Sequence, residues 1–305
     1  MSDLAPIAGT PIPLRIFNLK VNRLPAEELV FNHSLAFKAA AAAPLPSKVD
    51  LRSKMPPVYD QGQLGSCTAN AIVAIFQYDA PTFMGSRLFL YYNERVMIQA
   101  ASYDSGAYLS DGIKSLKATG ICAESVWPYS IGKFAVKPPT SCYTAALANR
   151  VVTANNIPNT AAAMKASLVA NEPFVIGFLV YSSFQSSAVS VTGIVPMPKK
   201  GERLLGGHAV VVCGYDDSKQ WWIVRNSWGK GWGAAGYFYV PYAYFLNPNL
   251  ASDLWNITSI LKAKLPLQIG PPISKAEWLA QGGKLPGSPA SVKPEVEFMR
   301  SLGLR

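Results

Sequence analysis

Four side chains in this sequence have the types and the spacing for nucleophilic attack on a carbonyl group. The first is Cys67, which follows the turn-like stretch Asp60–Ser66 and begins an apolar run without proline that extends to Phe76. A thiolate, not a thiol, is the nucleophile, and a helix N-terminus carries about half a positive charge that favours it. We therefore expect Cys67 to begin a helix and to have a pKa low enough for selective alkylation at about pH 6.

A nucleophilic cysteine needs a base, and the sequence contains only two histidines. His208 precedes the strand-like run AVVVCGY, and Asn226 follows it 18 residues later in the stretch RNSWGKGW. We expect His208 to form an ion pair with Cys67 and to protonate the leaving amine, while Asn226 orients the imidazole through one ring nitrogen. Gln61 precedes Cys67 by six residues. Its amide and the backbone N–H of Cys67 would both donate to a developing oxyanion.

Each of these residues also has a structural explanation when it is taken alone. Cysteine is often a small buried apolar residue. A histidine beside a strand usually has its polar atoms satisfied in the core, and amides in loops usually serve in turns. Gly206 and Gly207, however, leave room for a substrate directly before His208. The four residue types in this order therefore favour catalysis over packing.

Composition and charge argue against several other classes of protein. Half of the 305 residues are apolar and 15% are charged, so the chain can bury a large core. The net charge of +10 is spread along the chain without a basic run interleaved with aromatic residues, so nucleic acid is not an expected partner. No apolar run reaches the roughly 18 residues of a membrane span, and no secretory signal is recognisable. The sequence leaves open a cytoplasmic location or export by a non-classical route.

The four cysteines do not form a recognisable metal site. They lie at positions 67, 122, 142 and 213 and include no CxxC pair, so we expect neither a metal nor a cofactor. Cys213 lies within a strand-like run and is expected to be buried. A disulfide between Cys122 and Cys142 across a loop stays open at this point, although four cysteines in this length do not indicate a disulfide-rich secreted protein.

The chain divides into segments of different composition. Residues 1–46 form a leader with short apolar alternation, and residues 265–305 form a tail rich in proline and glycine. The region between them, 47–264, has helical patterns over 47–150 and strand-like patterns over 151–264. Helices first and strands second predict an α+β protein with a helical lobe and a β lobe.

Particular helices and strands can be predicted within these segments. The helical patterns run from Cys67 to about Asp79, over Ser86–Ala100 and over Leu109–Gly120. The strand-like stretches are EPFVIGFLVY, GHAVVVCGYDD, QWWIVRNSW and GYFYVPY, which are rich in β-branched and aromatic residues.

Three stretches of this chain resemble the signature blocks of the papain-like cysteine peptidases: QGQLGSC, GGHAVVVCGYD and NSWGKGWGAAGY. The 141 positions from Cys67 to His208 lie within the interval typical of that family. The resemblance covers about Ser47–Leu261. It implies a two-lobe α+β fold, with a helical left lobe, an antiparallel β-barrel-like right lobe and an active-site cleft between them.

The resemblance also assigns roles to individual residues. It implies that Cys67, His208 and Asn226 form the catalytic triad and that Gln61 completes the oxyanion hole. The family has a cysteine where this chain has Leu64, so the disulfide that the family forms there is not expected. The residues implied to bind substrate or shape the cleft are Gly65, Ser66, Gly106, Gly207 and Trp228, of which Trp228 shields the His–Asn hydrogen bond from water.

The implied function is an endopeptidase that is made as a self-inhibited precursor and cleaves polypeptides. The stretch SKVDLRS (Ser47–Ser53) resembles the start of the mature enzyme, which makes residues 1–46 a propeptide. This leader has enough apolar side chains to dock across the cleft by strand addition and act as an intramolecular inhibitor. The alternatives are an exopeptidase or acyl transferase on the same fold, or a catalytically silent binding protein. We expect a monomer without a membrane or nucleic acid partner.

Overall fold

The computed structural model describes residues 15–20 and 44–262. The chain divides into two compact units, Met1–Lys262 and Ala263–Arg305. All of the described residues belong to the first unit, so the predicted tail lies outside them. Within the described ranges, no helix is both long and apolar enough to cross a membrane.

The described part of the chain contains seven α-helices, and the three predicted helices are among them. Ser86 caps the second helix by accepting a hydrogen bond from the backbone N–H of Phe89. Gly120, which follows the third, has a φ of +79°, the left-handed conformation that favours glycine after a helix. The helices are α1 (Cys67–Asp79), α2 (Arg87–Met97), α3 (Leu109–Ala118), α4 (Thr140–Ala146), α5 (Ala161–Val169), α6 (Ser187–Thr192) and α7 (Tyr242–Leu246).

Helix α1 is the central helix of the fold. Every residue from Cys67 to Phe76 is buried, and the helix contacts α2 and α3 on one side and the sheet on the other. A helix that is apolar all round requires cover on every face. Its first residue is therefore held between the helical lobe and the sheet.

Seven strands form one antiparallel sheet in the described residues. The strand order is β2–β7–β3–β4–β5–β6, and β1 pairs with β4. β1 lies next to the predicted start of the mature region, yet it belongs to the sheet built by the second half of the chain. The strands are β1 (Lys48–Asp50), β2 (Asn149–Asn156), β3 (Phe174–Tyr181), β4 (Leu204–Asp216), β5 (Trp221–Arg225), β6 (Tyr237–Pro241) and β7 (Ala251–Lys262).

Two hydrophobic clusters correspond to the two lobes. The first is built mainly from α1–α3 and includes Ile72, Phe89 and Leu116. The second packs on the sheet and includes Trp222 and Phe238. The fold is therefore α+β with two lobes. The division of residues 47–264 into a helical lobe and a β lobe at position 150 stays a prediction. β1 precedes that position and α5–α7 follow it, so helices and strands occur on both sides.

The cysteines outside the start of α1 are buried free thiols. Cys122, Cys142 and Cys213 have no exposed surface. Cys122 and Cys142 are both free thiols in this structure, so the disulfide that the sequence left open is not formed between them here.

Candidate active site

Cys67 lies at the first position of α1, as its place after a glycine- and serine-containing turn predicts. Backbone N–H groups of Ala209, Thr68 and Cys67 itself are directed at its sulfur atom. Thr68 and Cys67 supply the free N–H groups of a helix N-terminus. Ala209 is the β4 residue that follows His208, so the sulfur lies at the junction between α1 and β4.

His208 is fully buried on β4, and two residues that follow β5 hold its ring. The His208 Nε2 atom lies 2.9 Å from Oδ1 of Asn226. The ring of Trp228 stacks on the imidazole with a centroid distance of 5.0 Å and an interplanar angle of 29°. The His208 Nδ1 atom has no hydrogen-bond partner among the described residues. With Nε2 engaged by Asn226, Nδ1 is the ring nitrogen left for exchanging a proton with a thiol.

Gln61 is fully buried and is tied to the loop that carries Asn226. Its Oε1 atom accepts a hydrogen bond of 2.6 Å from the Ser227 hydroxyl, and its backbone N–H donates to the carbonyl of Ser227 at 2.9 Å. The Nε2 atom donates to the carbonyl of Leu64 at 2.9 Å. A primary amide has two N–H groups, so one of them stays available to a further acceptor.

The turn before Cys67 is fixed by contacts with the helical lobe. The backbone N–H of Gly65 lies 3.1 and 3.0 Å from the two carboxylate oxygens of Asp104. The hydroxyl of Ser66 lies 2.6 Å from that of Tyr129. These contacts place Gly65 beside the loop that joins α2 and α3, which also carries Gly106.

Residues 15–20 of the leader lie on this group of residues as an extended segment. The backbone N–H of Leu19 donates to the carbonyl of Gly207 at 3.0 Å, and that of Lys20 donates to the carbonyl of Ala107 at 3.0 Å. Asn18 forms a parallel bridge with Gly207. The segment is therefore bonded to β4 on one side and to the α2–α3 loop on the other.

Side chains of the leader segment cover the histidine and its tryptophan. The Phe17 ring packs edge-on against His208 at a centroid distance of 6.0 Å and against Trp228 at 5.7 Å. Arg15 forms an ion pair of 2.8 Å with Asp60, and its guanidinium lies 5.8 Å from the centre of the Trp228 ring. Arg15 and Phe17 thus hold the segment in place over the buried imidazole.

Glycines allow the leader backbone to approach this closely. Gly106 has a φ of +68°, and a Cβ atom there would lie 1.6 Å from the carbonyl oxygen of Asn18. A Cβ atom on Gly207 would lie 2.7 Å from the carbonyl oxygen of Leu19. Any residue with a side chain at these positions would collide with a chain in the cleft. The expected room for a peptide in front of His208 therefore exists, and the leader occupies it.

Burial opposes charge on both Cys67 and His208. Desolvation is the main cause that raises the pKa of the Cys67 thiol to about 12, against the hydrogen bond from Ala209 N–H. Desolvation also lowers the pKa of His208 to about 4, opposed by its bond to Asn226. The expectation of a lowered pKa for Cys67 is wrong for this state, because the thiol is fully buried. A neutral thiol and a neutral imidazole result.

Sequence reasoning missed Asp104 and Glu94, two acidic residues near the start of α1. Glu94 on α2 is fully buried and accepts a hydrogen bond of 2.6 Å from the hydroxyl of Thr68. Desolvation raises its pKa to about 8. The sequence signals were the polar Thr68 within the mainly apolar start of the helix and the acidic Asp104 two positions before Gly106.

The comparison with known protein families rests on the same region of the chain. A model of the papain family cysteine proteases matches residues 45–249 of the 305 residues. The chain belongs to the papain family of cysteine proteases. The expected papain-like two-lobe fold is confirmed, and the protein is a papain-family cysteine peptidase.

Individual papain-family relatives agree with this assignment. Xylellain, a cysteine protease from Xylella fastidiosa, is 37% identical with a TM-score of 0.73 over 82% of this chain and 99% of that chain. An uncharacterized peptidase C1-like protein of Acanthamoeba polyphaga mimivirus is 44% identical over 66% of this chain and 69% of the viral protein. Procathepsin B S9 from Trypanosoma congolense is 18% identical with a TM-score of 0.63 over 80% of this chain and 86% of that chain, and it shares the fold.

Proposed function

We propose that this papain-family protease is an endopeptidase with a Cys67–His208–Asn226 triad, and that its own leader, residues 1–46, holds it inactive as a precursor. The observation that carries the proposal is the leader segment at residues 15–20, which packs on the buried His208 and is bonded to Gly207 in one lobe and to Ala107 in the other. A peptide site that the chain's own segment occupies is a site in which other peptides would bind once that segment leaves.

The proposed reaction passes the proton of the thiol through His208. Nδ1 of His208 accepts this proton, and the sulfur of Cys67 attacks the carbonyl carbon of the substrate. The same nitrogen then gives the proton to the leaving amine, and the C–N bond breaks to leave a thioester. A water molecule, deprotonated by His208, attacks the thioester, releases the acid product and restores the thiol.

Two N–H groups are proposed to stabilise the oxyanion that forms in each step. One is the backbone N–H of Cys67. The other is the second N–H of the Gln61 side-chain amide, the one that does not donate to the carbonyl of Leu64. Because Ser227 holds Oε1 of Gln61, the amide is oriented before substrate binds. Pre-oriented donors of this kind are worth about 10²–10³ in rate each.

Asn226 and Trp228 are proposed to hold the imidazole in the orientation that the reaction needs. The bond from Asn226 Oδ1 to Nε2 requires a proton on Nε2. Nδ1 is then the basic nitrogen of the neutral ring. The stacked ring of Trp228 covers this bond from one side.

The leader is proposed to inhibit by occupying the cleft while the catalytic pair stays neutral. As a tethered segment it competes with substrate at an effective concentration on the order of millimolar. It escapes cleavage because the covered cysteine is a thiol with a pKa of about 12, not a thiolate. Loss of the leader would admit water to both groups and allow the ion pair to form.

One feature favours an endopeptidase over an exopeptidase. The segment in the cleft is an internal stretch of chain, since residues precede Arg15 and follow Lys20. A cleft that holds an internal segment accepts a chain that continues in both directions, whereas an exopeptidase must recognise a chain end. The same cleft would therefore hold a scissile bond within a longer polypeptide.

The experiment uses the full chain and an internally quenched peptide blocked at both ends. We expect slow hydrolysis by the unmodified protein and none by Cys67→Ala. Phe17→Ala removes two aromatic contacts, each worth about 0.5–1.5 kcal/mol, so hydrolysis should rise about 5- to 150-fold. Val191→Ala, at a site that is 63% exposed, is the matched control and should change nothing.

Each alternative predicts a different result. No hydrolysis of the blocked peptide, together with hydrolysis of the same peptide with a free end, would indicate an exopeptidase. Transfer of the acyl group to an added amine in preference to water would indicate an acyl transferase. Binding of the peptide to Phe17→Ala without any turnover would indicate a silent binding protein, and equal rates before and after Phe17→Ala would contradict inhibition by the leader.

A further inference from the structure

We propose that Asp104 is a positioning residue that fixes the turn before Cys67 to the opposite wall of the cleft. The inference rests on the proposed peptidase reaction and adds a residue to it. Both carboxylate oxygens of Asp104 accept the backbone N–H of Gly65, at 3.1 and 3.0 Å. Gly65 precedes the nucleophile by two residues, so this contact acts on the chain that orients the thiol.

Asp104 is itself held by α2, which lies behind the loop. The hydroxyl of Tyr91 donates to Oδ1 of Asp104 and accepts the backbone N–H of Gly106 at 3.1 Å. The Tyr91 side chain thus fixes both the carboxylate of Asp104 and the backbone at Gly106.

Arg95 fixes the first part of the same loop. Its Nη1 atom donates to the carbonyls of Ala101 and Tyr103, at 2.8 and 3.0 Å. Its guanidinium also lies 4.2 Å from the centre of the Tyr91 ring. The carboxylate is therefore mounted on a loop that α2 holds at several points, and it transmits that position to Gly65.

The two segments that Asp104 joins both contact the chain in the cleft. The backbone carbonyl of Asp104 accepts a hydrogen bond of 3.1 Å from the Asn18 side chain. Across the contact, a Cβ atom on Gly65 would lie 2.8 Å from Oδ1 of Asp104 and 2.9 Å from Nδ2 of Asn18. A glycine at position 65 is thus required for the Asp104 carboxylate to approach. We expect the distance between Cys67 and a peptide in the cleft to depend on the contact between Asp104 and Gly65.

The strength of this contact follows from its acceptor group. A hydrogen bond to a carboxylate is about twice as strong as one between neutral groups. The Asp104–Gly65 contact therefore supplies a link for this turn without a covalent bond.

The test compares Asp104→Ala with the conservative Asp104→Asn in the full chain carrying Phe17→Ala. Misplacing a reacting group by about 1 Å costs on the order of 10² in rate. We expect kcat per titrated active site to fall about ten- to a hundredfold in Asp104→Ala, with KM changed much less. Asp104→Asn keeps one acceptor oxygen and should restore part of kcat.

Asp216→Ala is the matched control for loss of an acidic side chain. Asp216 lies at the far end of β4, where it binds Ser218 and Lys48. We expect this variant to keep kcat per titrated site. Backbone hydrogen exchange over residues 61–66 gives a readout that does not need activity. It should be about tenfold faster in Asp104→Ala and unchanged in Asp216→Ala.

The outcomes separate this proposal from the proposed function. A normal kcat per titrated site in Asp104→Ala, with fewer titratable sites, would reduce Asp104 to a folding role and overturn the proposal. Unchanged exchange over 61–66 would overturn it as well. If no variant with an intact Cys67 cleaves any peptide, the proposed function fails, and the exchange rates still decide whether Asp104 fixes the turn.

Discussion

Three neighbours surround the ring of His208. Asn226 binds Nε2 at 2.9 Å, Trp228 stacks on the ring, and Phe17 packs against it edge-on. Burial lowers the pKa of His208 to about 4, whereas a histidine in water titrates near 6.5. Between about pH 4 and pH 6.5, His208 is therefore protonated in more of the unfolded molecules than of the folded ones. The contribution of His208 to stability is thus full above about pH 6.5 and is lost as the pH falls towards 4.

This state of His208 predicts a titration that NMR can follow. The sequence has only one other histidine, His33, so a full-length His33→Gln protein has a single ring signal. We expect no change in that signal from pH 8 to pH 5 and a midpoint near the folded-state pKa of about 4. A midpoint between about 6 and 7 would mean that water reaches His208 and that the leader does not cover it.

The amide of Gln61 predicts a kinetic effect without a binding effect. Gln61→Ala, in the chain with Phe17→Ala, removes a donor that is needed only when the oxyanion forms. We expect kcat to fall about a hundredfold with KM nearly unchanged. Asn226→Ala should do less harm than His208→Ala, because Asn226 orients the ring and transfers no proton. Steady-state kinetics measures both effects, and an unchanged kcat in Gln61→Ala would remove it from the oxyanion hole.

The sequence predicted the four candidate catalytic residues but not their protonation. Cys67, His208, Asn226 and Gln61 have side-chain types and spacings that local patterns reveal. The predicted pKa of Cys67 was wrong because it depends on the complete burial of the thiol, which a local pattern does not reveal. Asp104 was missed for a similar reason, since its carboxylate meets Gly65 only after the α2–α3 loop has folded against the turn.

Helix α1 links stability to the site at the level of elements. It is buried from Cys67 to Phe76 and contacts both α-helices and strands. Ile72, which is fully buried within it, should cost about 2–4 kcal/mol of unfolding free energy when replaced by alanine. Val191→Ala on the exposed face of α6 should cost less than about 0.5 kcal/mol. Urea unfolding measures both values, and a cost for Ile72→Ala as small as for Val191→Ala would contradict a close-packed α1.

Elements with a clear apolar period were predictable, and those with buried polar residues were not. The helices α1–α3 and the strands β3–β6 follow from spacing and composition. In β7, Asn256 is buried because Asn155 on β2 and Glu172 supply its hydrogen bonds, at 3.0 and 2.7 Å. A local pattern shows such a residue as polar and exposed. β7 pairs with β2 and β3, which both lie far earlier in the chain, so the strand and its neighbour β2 were not predicted.

At the scale of the whole molecule, the leader segment joins the two lobes beside His208. Its backbone bonds to Gly207 in the sheet and to Ala107 in the helical lobe, while Leu19 is buried with 8% of its surface exposed. The same contacts account for the buried neutral pair and for the glycines along the cleft. We propose that this segment keeps Cys67 covered and protonated in the full chain.

The rate at which iodoacetamide modifies Cys67 at about pH 6 tests this claim most directly. Mass spectrometry of the full-length protein locates the label, and the buried Cys122, Cys142 and Cys213 serve as internal controls. We predict that Cys67 of the unmodified chain reacts about 5- to 150-fold more slowly than Cys67 of the full-length Phe17→Ala protein. Val191→Ala should match the unmodified chain. Equal and rapid labelling of Cys67 with and without Phe17 would show that the leader segment does not keep Cys67 covered and protonated.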